Sequence, residues 1–405
     1  MDASSIWKPS RKKRALNNTL FPLLYTLLTA GVWLVALPLL FLYSFKKKYR
    51  HAIPARFFLW RNPPLPKERV WFHACSFGET RALKPLIQEL PKHETAMTVT
   101  TQTGYEEART VVDTVRYLPF EPLLWIWIRP QKALIVMEAE LWYLLFYLAK
   151  RRGAVTMLVN ARISDRSWPR YRRFAWFYRH LFAQVDDVYA QSELDAERLR
   201  VLGAKKVTVT GNIKLAHLPS PSLSIPSHEG IVVTAASTHE GEEEGIVSAF
   251  LTFKKRHPDA KLIVVPRHPE RFERVFRMLR SVATREGLEL SRWSLASSLQ
   301  GDIVLVDRMG MLVEIYAVTD IVVLGGAFVP IGGHNPAEVL PFGCRLVSGN
   351  HIFNQRAMFD AVEGAIFCEL EDLAQALERA LEAPPLTMKT KVSLEPLKEA
   401  LRHVV

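Results

Sequence analysis

Charged side chains follow apolar, strand-like segments at three places in the N-terminal half of the chain. The stretch HACSFGETRALKPL puts Glu79 just past a glycine, where an apolar strand turns into a helix. Glu138 closes a second strand in IVMEAELW, and Lys214 lies in a turn after a third strand in VTGNIKL. In a doubly wound α/β sheet the carboxyl ends of the strands share one edge, where ligands bind. We therefore expect two carboxylates and an ammonium group to meet at that edge.

Glu79 also has a simpler explanation. A carboxylate in the first turn of a helix complements the exposed amide groups and the helix dipole. The local sequence alone does not separate this structural role from that of a base held at the mouth of the sheet.

The stretch VPIGGHNPAEVLPFG, residues 329–343, opens a helix after an apolar strand. Asn335, Pro336 and Glu338 fit the N-cap, first and third positions of that helix. A well-formed helix start does not require the preceding Gly332 and Gly333, which allow close approach of a ligand to the backbone. A glycine-rich turn of this kind predicts free amide groups directed at a phosphate.

Arg267 ends another strand in LIVVPRHPERFE and is a candidate clamp for a phosphate or a carboxylate, although a solvated loop arginine explains it as well. In AASTHEGEEEG, a further strand-to-helix turn, the glutamates at 242–244 are interpreted as structural because they complement the helix dipole.

These residues depend on two runs of alternating strands and helices, the pattern of parallel α/β sheets. We predict a membrane anchor at 1–50, a first Rossmann-like domain at 51–217, and a Pro/Ser-rich linker at 218–230. A second Rossmann-like domain is predicted at 231–385, and a C-terminal helix within 386–405 that packs on the first domain. A cleft between the two domains is the expected ligand site.

The N-terminal segment combines an apolar run with a concentration of positive charge. The chain has 53 Lys and Arg against 41 Asp and Glu, a net charge of +12, of which +9 lies in residues 1–56. The run from Leu20 to Phe45 is long enough to cross a bilayer. Basic residues on both sides favour anionic lipid headgroups over nucleic acid as the partner. The run either spans the membrane or lies in one leaflet; a buried soluble helix is the alternative.

Two further segments are candidate membrane surfaces, LLWIWIRP at 123–130 and the arginine- and aromatic-rich SWPRYRRFAWFYRHLF at 167–182. The second is equally consistent with an amphipathic helix packed on the sheet. The three cysteines show neither metal-ligand spacing nor a disulfide pattern, which fits a reducing cytoplasm.

Seven motifs together resemble the Kdo transferase family, which adds 3-deoxy-D-manno-oct-2-ulosonic acid (Kdo) to the lipid A precursor in Gram-negative bacteria. In chain order they are FHACSFGETRA, MEAELW, VNARISDRS, TGNIK, AASTHEGEEE, VPRHPERF and PIGGHNPAE. The match runs from about residue 20 to about residue 385.

The resemblance implies a GT-B fold at the cytoplasmic side of the cell inner membrane, in which the domain at 51–217 binds the acceptor and the domain at 231–385 binds the CMP-sugar. It also implies a CMP-Kdo donor, no cofactor, and inversion at the anomeric carbon without a metal. The catalytic positions that it implies are the base Glu79 and two transition-state stabilisers, Glu138 and Lys214. The positions that it implies for CMP are Pro266, Arg267, Met309, Gly310, Met311, Asn335, Pro336, Ala337 and Glu338.

The chain departs from the family pattern at Met311, where the family usually has glutamate, so any contact there is expected through the backbone. It also reads EAELWY where ETELWP is common, and its basic N-terminal extension is longer. Two other functions stay open on the sequence: a GT-B transferase with another nucleotide sugar, and a catalytically silent membrane-bound scaffold of the same fold.

Overall fold

The computed structural model describes the backbone of residues 11–47, 49–216, 218, 220–223, 225–226, 229–296 and 298–404, and side chains from Leu20 onward. The basic side chains of Lys8, Arg11, Lys12, Lys13, Arg14 and Lys48 therefore lie outside the described part. The chain forms two compact units. The first contains the described residues up to 216 and from 391 onward, and the second contains those from 218 to 390.

The first unit is built on a seven-stranded parallel sheet whose strands are almost entirely apolar. Such strands are buried on both faces because helices cover the two sides of a parallel sheet. The strands are β1 (Val70–Ala74), β2 (Thr95–Val99), β3 (Val115–Tyr117), β4 (Ala133–Met137), β5 (Val155–Ala161), β6 (Asp187–Ala190) and β7 (Val207–Val209). Their order is β3-β2-β1-β4-β5-β6-β7. The chain direction across the sheet reverses between β1 and β4, which makes this the switch point at which α/β proteins bind ligands.

The α-helices of this unit, before its C-terminal segment, are α1 (Arg11–Ser44), α2 (Ala52–Phe58), α3 (Phe77–Ile87), α4 (Gln102–Val111), α5 (Leu124–Trp127), α6 (Tyr143–Arg151), α7 (Trp168–Arg173), α8 (Ala175–Phe182) and α9 (Glu193–Val201). The arginine- and aromatic-rich segment at 167–182 does not form one continuous helix, because the chain breaks at Phe174 into α7 and α8. The segment at 123–130 was predicted as a candidate membrane surface. This prediction was wrong at Trp127, which is buried in the core and donates its indole N–H to the Asn62 carbonyl at 2.8 Å.

Helix α1 is long and apolar enough to cross a membrane by length and composition over Leu20–Ser44. One of its faces is nevertheless partly covered by the rest of the unit. The partly covered positions recur at helical spacing, at 21, 22, 25, 26, 29, 30, 33, 36, 37 and 40. Tyr25 donates to Glu121 at 2.5 Å, and Trp33 donates to the Phe57 carbonyl at 3.2 Å. Helix α1 therefore packs lengthwise on the first unit, and its opposite face exposes leucines, valines and Phe41.

The second unit repeats the parallel α/β plan. Its strands are β8 (Val232–Thr238), β9 (Lys261–Pro266), β10 (Leu290–Arg292), β11 (Ile303–Leu305), β12 (Ile321–Leu324), β13 (Arg345–Ser348), β14 (Val362–Glu363), β15 (Ala365–Phe367) and β16 (Thr387–Met388). The parallel sheet has the order β10-β11-β9-β8-β12-β13-β15, and β14 pairs antiparallel with β16. The switch point here lies between β8 and β12. Two parallel α/β units confirm the predicted α/β fold class.

The remaining helices are α10 (Glu243–Lys254), α11 (Phe272–Glu286), α12 (Trp293–Ala296), α13 (Leu312–Tyr316), α14 (Arg356–Phe359), α15 (Leu373–Glu382) and α16 (Glu395–Arg402). Helix α16 belongs to the first unit, where it buries Leu397 and Leu401 and forms an ion pair of 2.7 Å from Lys398 to Glu89. In the segment predicted as a linker, the Ser222 and Leu223 amides donate to the Glu314 carboxylate of the second unit.

Candidate active site

Glu79 lies in the first turn of α3, directly after β1 and beside the switch point of the first sheet. Its carboxylate folds back onto the turn that carries it: Oε2 accepts the Cys75 amide at 2.8 Å, and Oε1 accepts the Ser76 hydroxyl at 3.0 Å. The side chain is 9% exposed. The carboxylate is thus held in one place by short local hydrogen bonds but keeps acceptor capacity for a substrate hydroxyl.

Glu138 and Lys214 are brought together at the same edge of the sheet, as the sequence predicted. Glu138 follows β4, and Lys214 lies in the 3₁₀ turn Ile213–Leu215 after β7. Lys214 Nζ lies 2.5 Å from Glu138 Oε1. Both groups are partly exposed, so the ion pair is open to a ligand from one side.

The pKa of Glu79 is raised above its usual value, first because burial disfavours the carboxylate and also because Glu138 is negative. The Cys75 amide, the Ser76 hydroxyl and the positive charge of Lys214 act in the opposite direction without overcoming burial. A helix terminus alone would favour the ionised form. A raised pKa makes Glu79, once it is ionised, a stronger base than an ordinary carboxylate.

Asn160 connects the two members of the ion pair. Its amide nitrogen donates to Glu138 Oε1 at 3.1 Å, and its amide oxygen accepts the Ile213 N–H, next to Lys214, at 2.9 Å. Asn160 is fully buried at the end of β5, and both Asn160 and Glu138 have a φ of 56°. Non-glycine residues in this left-handed region cost roughly 1–3 kcal/mol each and are concentrated at functional sites.

Glu140, the second acid of IVMEAELW, has a different environment. Its Oε2 accepts the Trp142 indole N–H at 2.7 Å and lies 3.6 Å from Nε2 of the buried His73. These contacts tie Glu140 to the base of the turn and separate its role from that of Glu138.

In the second unit, Arg267 and three histidines lie at the carboxyl ends of β8, β9 and β12. Arg267 is exposed, and within the described part of the chain no carboxylate pairs with its guanidinium group. His239 and His334 stack with their Nε2 atoms 2.9 Å apart, and His268 packs edge-on against His239. Burial, with the positive field of His239 and Arg267, lowers the pKa of His334 to about 4. The exposed guanidinium of Arg267 supplies positive charge at this edge, which suits an anion.

The amides of the paired glycines are not the free groups that the sequence predicted. The Gly332 and Gly333 amides donate to the Gly326 carbonyl at 3.1 and 2.7 Å, so neither is free for a phosphate. Gly332 has a φ of 115°, and a Cβ there would lie 2.1 Å from the Asn354 side chain. The glycines therefore allow this loop to pack against its neighbours.

The helix after these glycines is a 3₁₀ helix, Pro336–Phe342, rather than an α-helix. Asn335 caps it by accepting the Ala337 amide at 3.1 Å, as the N-cap prediction required. Glu338 lies in its first turn and Pro336 and Ala337 are buried.

The turn at 309–311 places its members differently. Met309 is exposed, and Gly310 has a φ of 81°. The Met311 side chain is buried in the core among Val232, Ile263 and Val304. The side chain is therefore directed into the core, and a contact of the Met311 backbone to a ligand stays a prediction. Pro266 is buried at the end of β9.

Glu242 and Glu243 serve structural roles, as the sequence indicated. The Glu242 carboxylate is completely buried and accepts the amides of His239, Gly326 and Phe328 at 2.9–3.1 Å. Glu243 forms a two-point salt bridge with Arg271. These acids hold the loops that carry the histidines and Arg267.

Comparison with known proteins places this arrangement in a family. Residues 51–217 match the family model described as 3-deoxy-D-manno-octulosonic-acid transferase (kdotransferase). A 3-deoxy-D-manno-octulosonic acid transferase of Haemophilus influenzae is 32% identical over 364 residues, which cover 83% of this chain and 84% of the relative. The chain belongs to the Kdo transferase family. It is therefore a glycosyltransferase. A second relative, a 3-deoxy-D-manno-octulosonic acid transferase of Bordetella pertussis, is 30% identical over 395 residues, which cover 87% of this chain and 90% of that protein.

Solved structures also resemble parts of this Kdo transferase. The C-terminal CMP-Kdo binding domain of WaaA from Acinetobacter baumannii is 28% identical and covers 43% of this chain and 86% of that domain, with a TM-score of 0.34. A UDP-GlcNAc 2-epimerase from Neisseria meningitidis is 14% identical and covers 78% of this chain and 92% of that protein, with a TM-score of 0.46.

Sequence reasoning did not single out Asn160, His239 or His334 in this Kdo transferase. Each lies within a motif that carried the resemblance, but no local pattern distinguishes it. Asn160 acts through partners 22 and 53 residues away. The two histidines meet across 95 residues of chain. The available signal was their position at the end of a strand or in the loop after one, at the edge where ligands bind.

Proposed function

We propose that this Kdo transferase takes CMP-Kdo as donor and the lipid A precursor, lipid IVA, as acceptor, with inversion and with Glu79 as the general base. The observation that carries the proposal is Glu79 itself. It is buried and held by two hydrogen bonds, and its pKa is raised. It also lies at a switch point of the sheet, beside the ion pair of Glu138 and Lys214. Family membership supplies the reaction class.

In the proposed reaction, Glu79 accepts the proton of an acceptor hydroxyl as that oxygen attacks the anomeric carbon of Kdo. The new C–O bond forms as the bond from the anomeric carbon to the phosphate oxygen breaks. CMP leaves with the bonding electrons, and attack from the opposite face inverts the centre. Placement of the hydroxyl beside a fixed carboxylate lowers the entropic part of the barrier.

The ion pair of Lys214 and Glu138 is proposed to stabilise charge in the transition state. Lys214 can donate to an oxygen that becomes more negative, and Glu138 balances its charge in the absence of substrate. Asn160 bonds to Glu138 and to the Ile213 amide next to Lys214, so the position of the Lys214 ammonium group is fixed before substrate binds.

Donor binding is proposed at the edge of the second unit where Arg267 lies. The exposed guanidinium of Arg267 can form charge-assisted hydrogen bonds to the phosphate of CMP. The 3₁₀ helix that begins at Pro336 and the 309–311 turn would complete the contacts to the nucleotide. Neutralisation by side chains supports a reaction without a metal. Activity should accordingly survive a chelator; a loss that Mg²⁺ restores would count against this part of the proposal.

Attachment to the cytoplasmic face of the cell inner membrane is proposed through α1. The helix lies along the first unit and exposes an apolar face that includes Leu28, 66% exposed, and Val35, 83% exposed. An apolar face of this length beside a folded unit fits insertion into one leaflet better than passage across the bilayer. The exposed arginines of α7 and α8, with Phe174 and Trp176, add a candidate second contact to anionic headgroups.

The deciding experiment is incubation of the purified full-length protein with CMP-Kdo and lipid IVA, followed by mass spectrometry of the lipid. We expect the lipid to gain mass in whole Kdo increments, with release of CMP. Other nucleotide sugars serve as parallel reactions. Transfer from one of these instead of CMP-Kdo would favour the alternative donor, and no transfer from any donor would favour a silent scaffold.

A further inference from the structure

The first unit contains an open cavity of about 510 Å³ that none of the assigned residues uses. It is lined by the segment before α2, by the 60–62 turn, by the first turn of α4, and by β3. Asn62 fixes its floor: the buried amide donates to the Ala55 and Tyr117 carbonyls at 3.0 and 2.8 Å. Tyr105 and Tyr117 stack at 4.7 Å along another wall. These contacts tie two walls of the cavity to the surrounding fold.

The lining is strongly basic. Arg50, Arg61 and Arg116 contribute guanidinium groups, and none of the described residues that line the cavity is acidic. Arg50 donates to His51, and Arg116 donates to the Pro63 and Val115 carbonyls. These bonds use only a few of the five N–H groups on each guanidinium. Within the described chain Arg61 has no carboxylate partner. Such a group of unneutralised arginines matches a phosphate.

The cavity lies next to the apolar helix. Arg50 and His51 follow the end of α1, and α2, which forms part of the wall, packs on α1 through the Trp33–Phe57 hydrogen bond. Trp60 is 65% exposed at the cavity. Exposed tryptophan beside arginine is typical of a membrane–water interface, where the ring lies at headgroup level. A phosphate that reaches this cavity is thus expected to belong to a lipid.

The cavity is also connected to the turn that carries Glu79. Its α4 wall begins after Thr101, whose hydroxyl donates to the Cys75 carbonyl at 2.8 Å. The Cys75 amide in turn donates to Glu79 at 2.8 Å. We propose that this cavity binds a phosphate group of the membrane-embedded lipid acceptor and so positions the acceptor beside Glu79. This inference rests on the proposed function for the identity of the acceptor.

The test uses the full-length protein in detergent and the double variant Arg50→Gln with Arg61→Gln, both at exposed positions. Lipid A precursor and its dephosphorylated form are titrated without CMP-Kdo, and transfer kinetics follow with the precursor. The variant should bind the precursor at least about tenfold more weakly, since it loses charge-assisted hydrogen bonds. Its KM for the precursor should rise equally, with kcat and CMP affinity unchanged. Both proteins should bind the dephosphorylated lipid alike.

The matched control is Arg109→Gln with Arg200→Gln, which removes the same charge from exposed positions elsewhere on the first unit and should change nothing. Unchanged precursor binding in the Arg50/Arg61 variant would overturn the proposal, as would an equal loss for the dephosphorylated lipid. Inorganic phosphate that binds the parent protein as tightly as the precursor would identify a free-phosphate site instead. Lipid binding is measured without CMP-Kdo and so does not depend on transfer. Failure of transfer alone would reject the proposed function, while the binding result would still test the cavity.

Discussion

Lys214 Nζ lies 2.5 Å from Glu138 Oε1, at the edge of the sheet where Glu79 also lies. The two charges of this pair act on Glu79 in opposite directions: Glu138 raises its pKa and Lys214 lowers it, while burial raises it most. The pair therefore adjusts the base as well as offering a cation to the substrate. This arrangement leads to tests that separate the role of each residue.

Removal of the base should stop transfer without loss of donor binding. Glu79→Gln keeps the size of the side chain and one oxygen that can accept the Cys75 amide, but it cannot accept the proton. Loss of a general base typically costs about 10²–10⁴-fold in rate. We expect this loss in kcat, with CMP affinity by calorimetry unchanged. Transfer at the parental rate would show that another group takes the proton.

Removal of each member of the ion pair in turn should shift the pH dependence of the reaction, in opposite directions for Glu138 and Lys214. Glu79 must be ionised to act, so activity falls as the pH drops through its raised pKa. Glu138→Gln removes a negative neighbour and should move this acid limb to lower pH. Lys214→Met removes a positive neighbour and should move it to higher pH. The measurement is the profile of kcat/KM against pH. The result is the pH at which the acid limb falls, not the absolute rate of the variant. Shifts in the same direction for both variants would contradict the assignment.

Asn160 should matter for catalysis although it touches no substrate in the proposed reaction. Asn160→Gly keeps the backbone conformation but removes both hydrogen bonds and leaves the Ile213 amide unpaired, at a cost of roughly 1–3 kcal/mol. We expect kcat to fall about tenfold or more with little change in KM for CMP-Kdo. The acid limb should also move, because the Glu138–Lys214 pair loses its anchor. Leu59→Gly is the matched control, since Leu59 also has a positive φ, 55°, and lies away from the pair. A purely structural role would lower stability and leave the pH profile in place.

Arg267 should contribute to donor binding. Arg267→Ala removes an exposed guanidinium that has no carboxylate partner in the described chain. A hydrogen bond to a charged group is worth roughly 1.5–3 kcal/mol, equivalent to about a ten- to hundredfold weaker CMP affinity. Arg277→Ala, on the exposed face of α11, is the control for loss of one positive charge. Calorimetry that finds the same CMP affinity for both variants would remove Arg267 from the donor site.

Because Glu121 is buried, the stability of the first unit should depend on pH. The carboxylate is buried, accepts the Tyr25 hydroxyl and the Leu144 amide, and burial raises its pKa to about 7. A carboxyl group whose pKa is higher in the folded than in the unfolded chain stabilises the fold at low pH, and this contribution is lost as the pH rises from the unfolded-state pKa through about 7. The Tm in detergent should therefore fall between about pH 5 and about pH 8, and Glu121→Gln should flatten this dependence. An unchanged slope in the variant would assign the pH effect to other groups.

The amino-acid sequence by itself determined the α/β class, the positions of Glu79, Glu138 and Lys214 after strands, and the apolar helix. These features follow from local periodicity and from the rule that the carboxyl ends of parallel strands share an edge. The tertiary structure decided the rest, because burial and hydrogen-bond partners come from residues far apart in the chain. It raised the pKa of Glu79, joined Asn160 to the ion pair, and directed the Gly332 and Gly333 amides to Gly326 instead of a ligand. It also laid α1 along the first unit and formed the basic cavity from two segments about 50 residues apart, neither of which marks such a site by its own sequence.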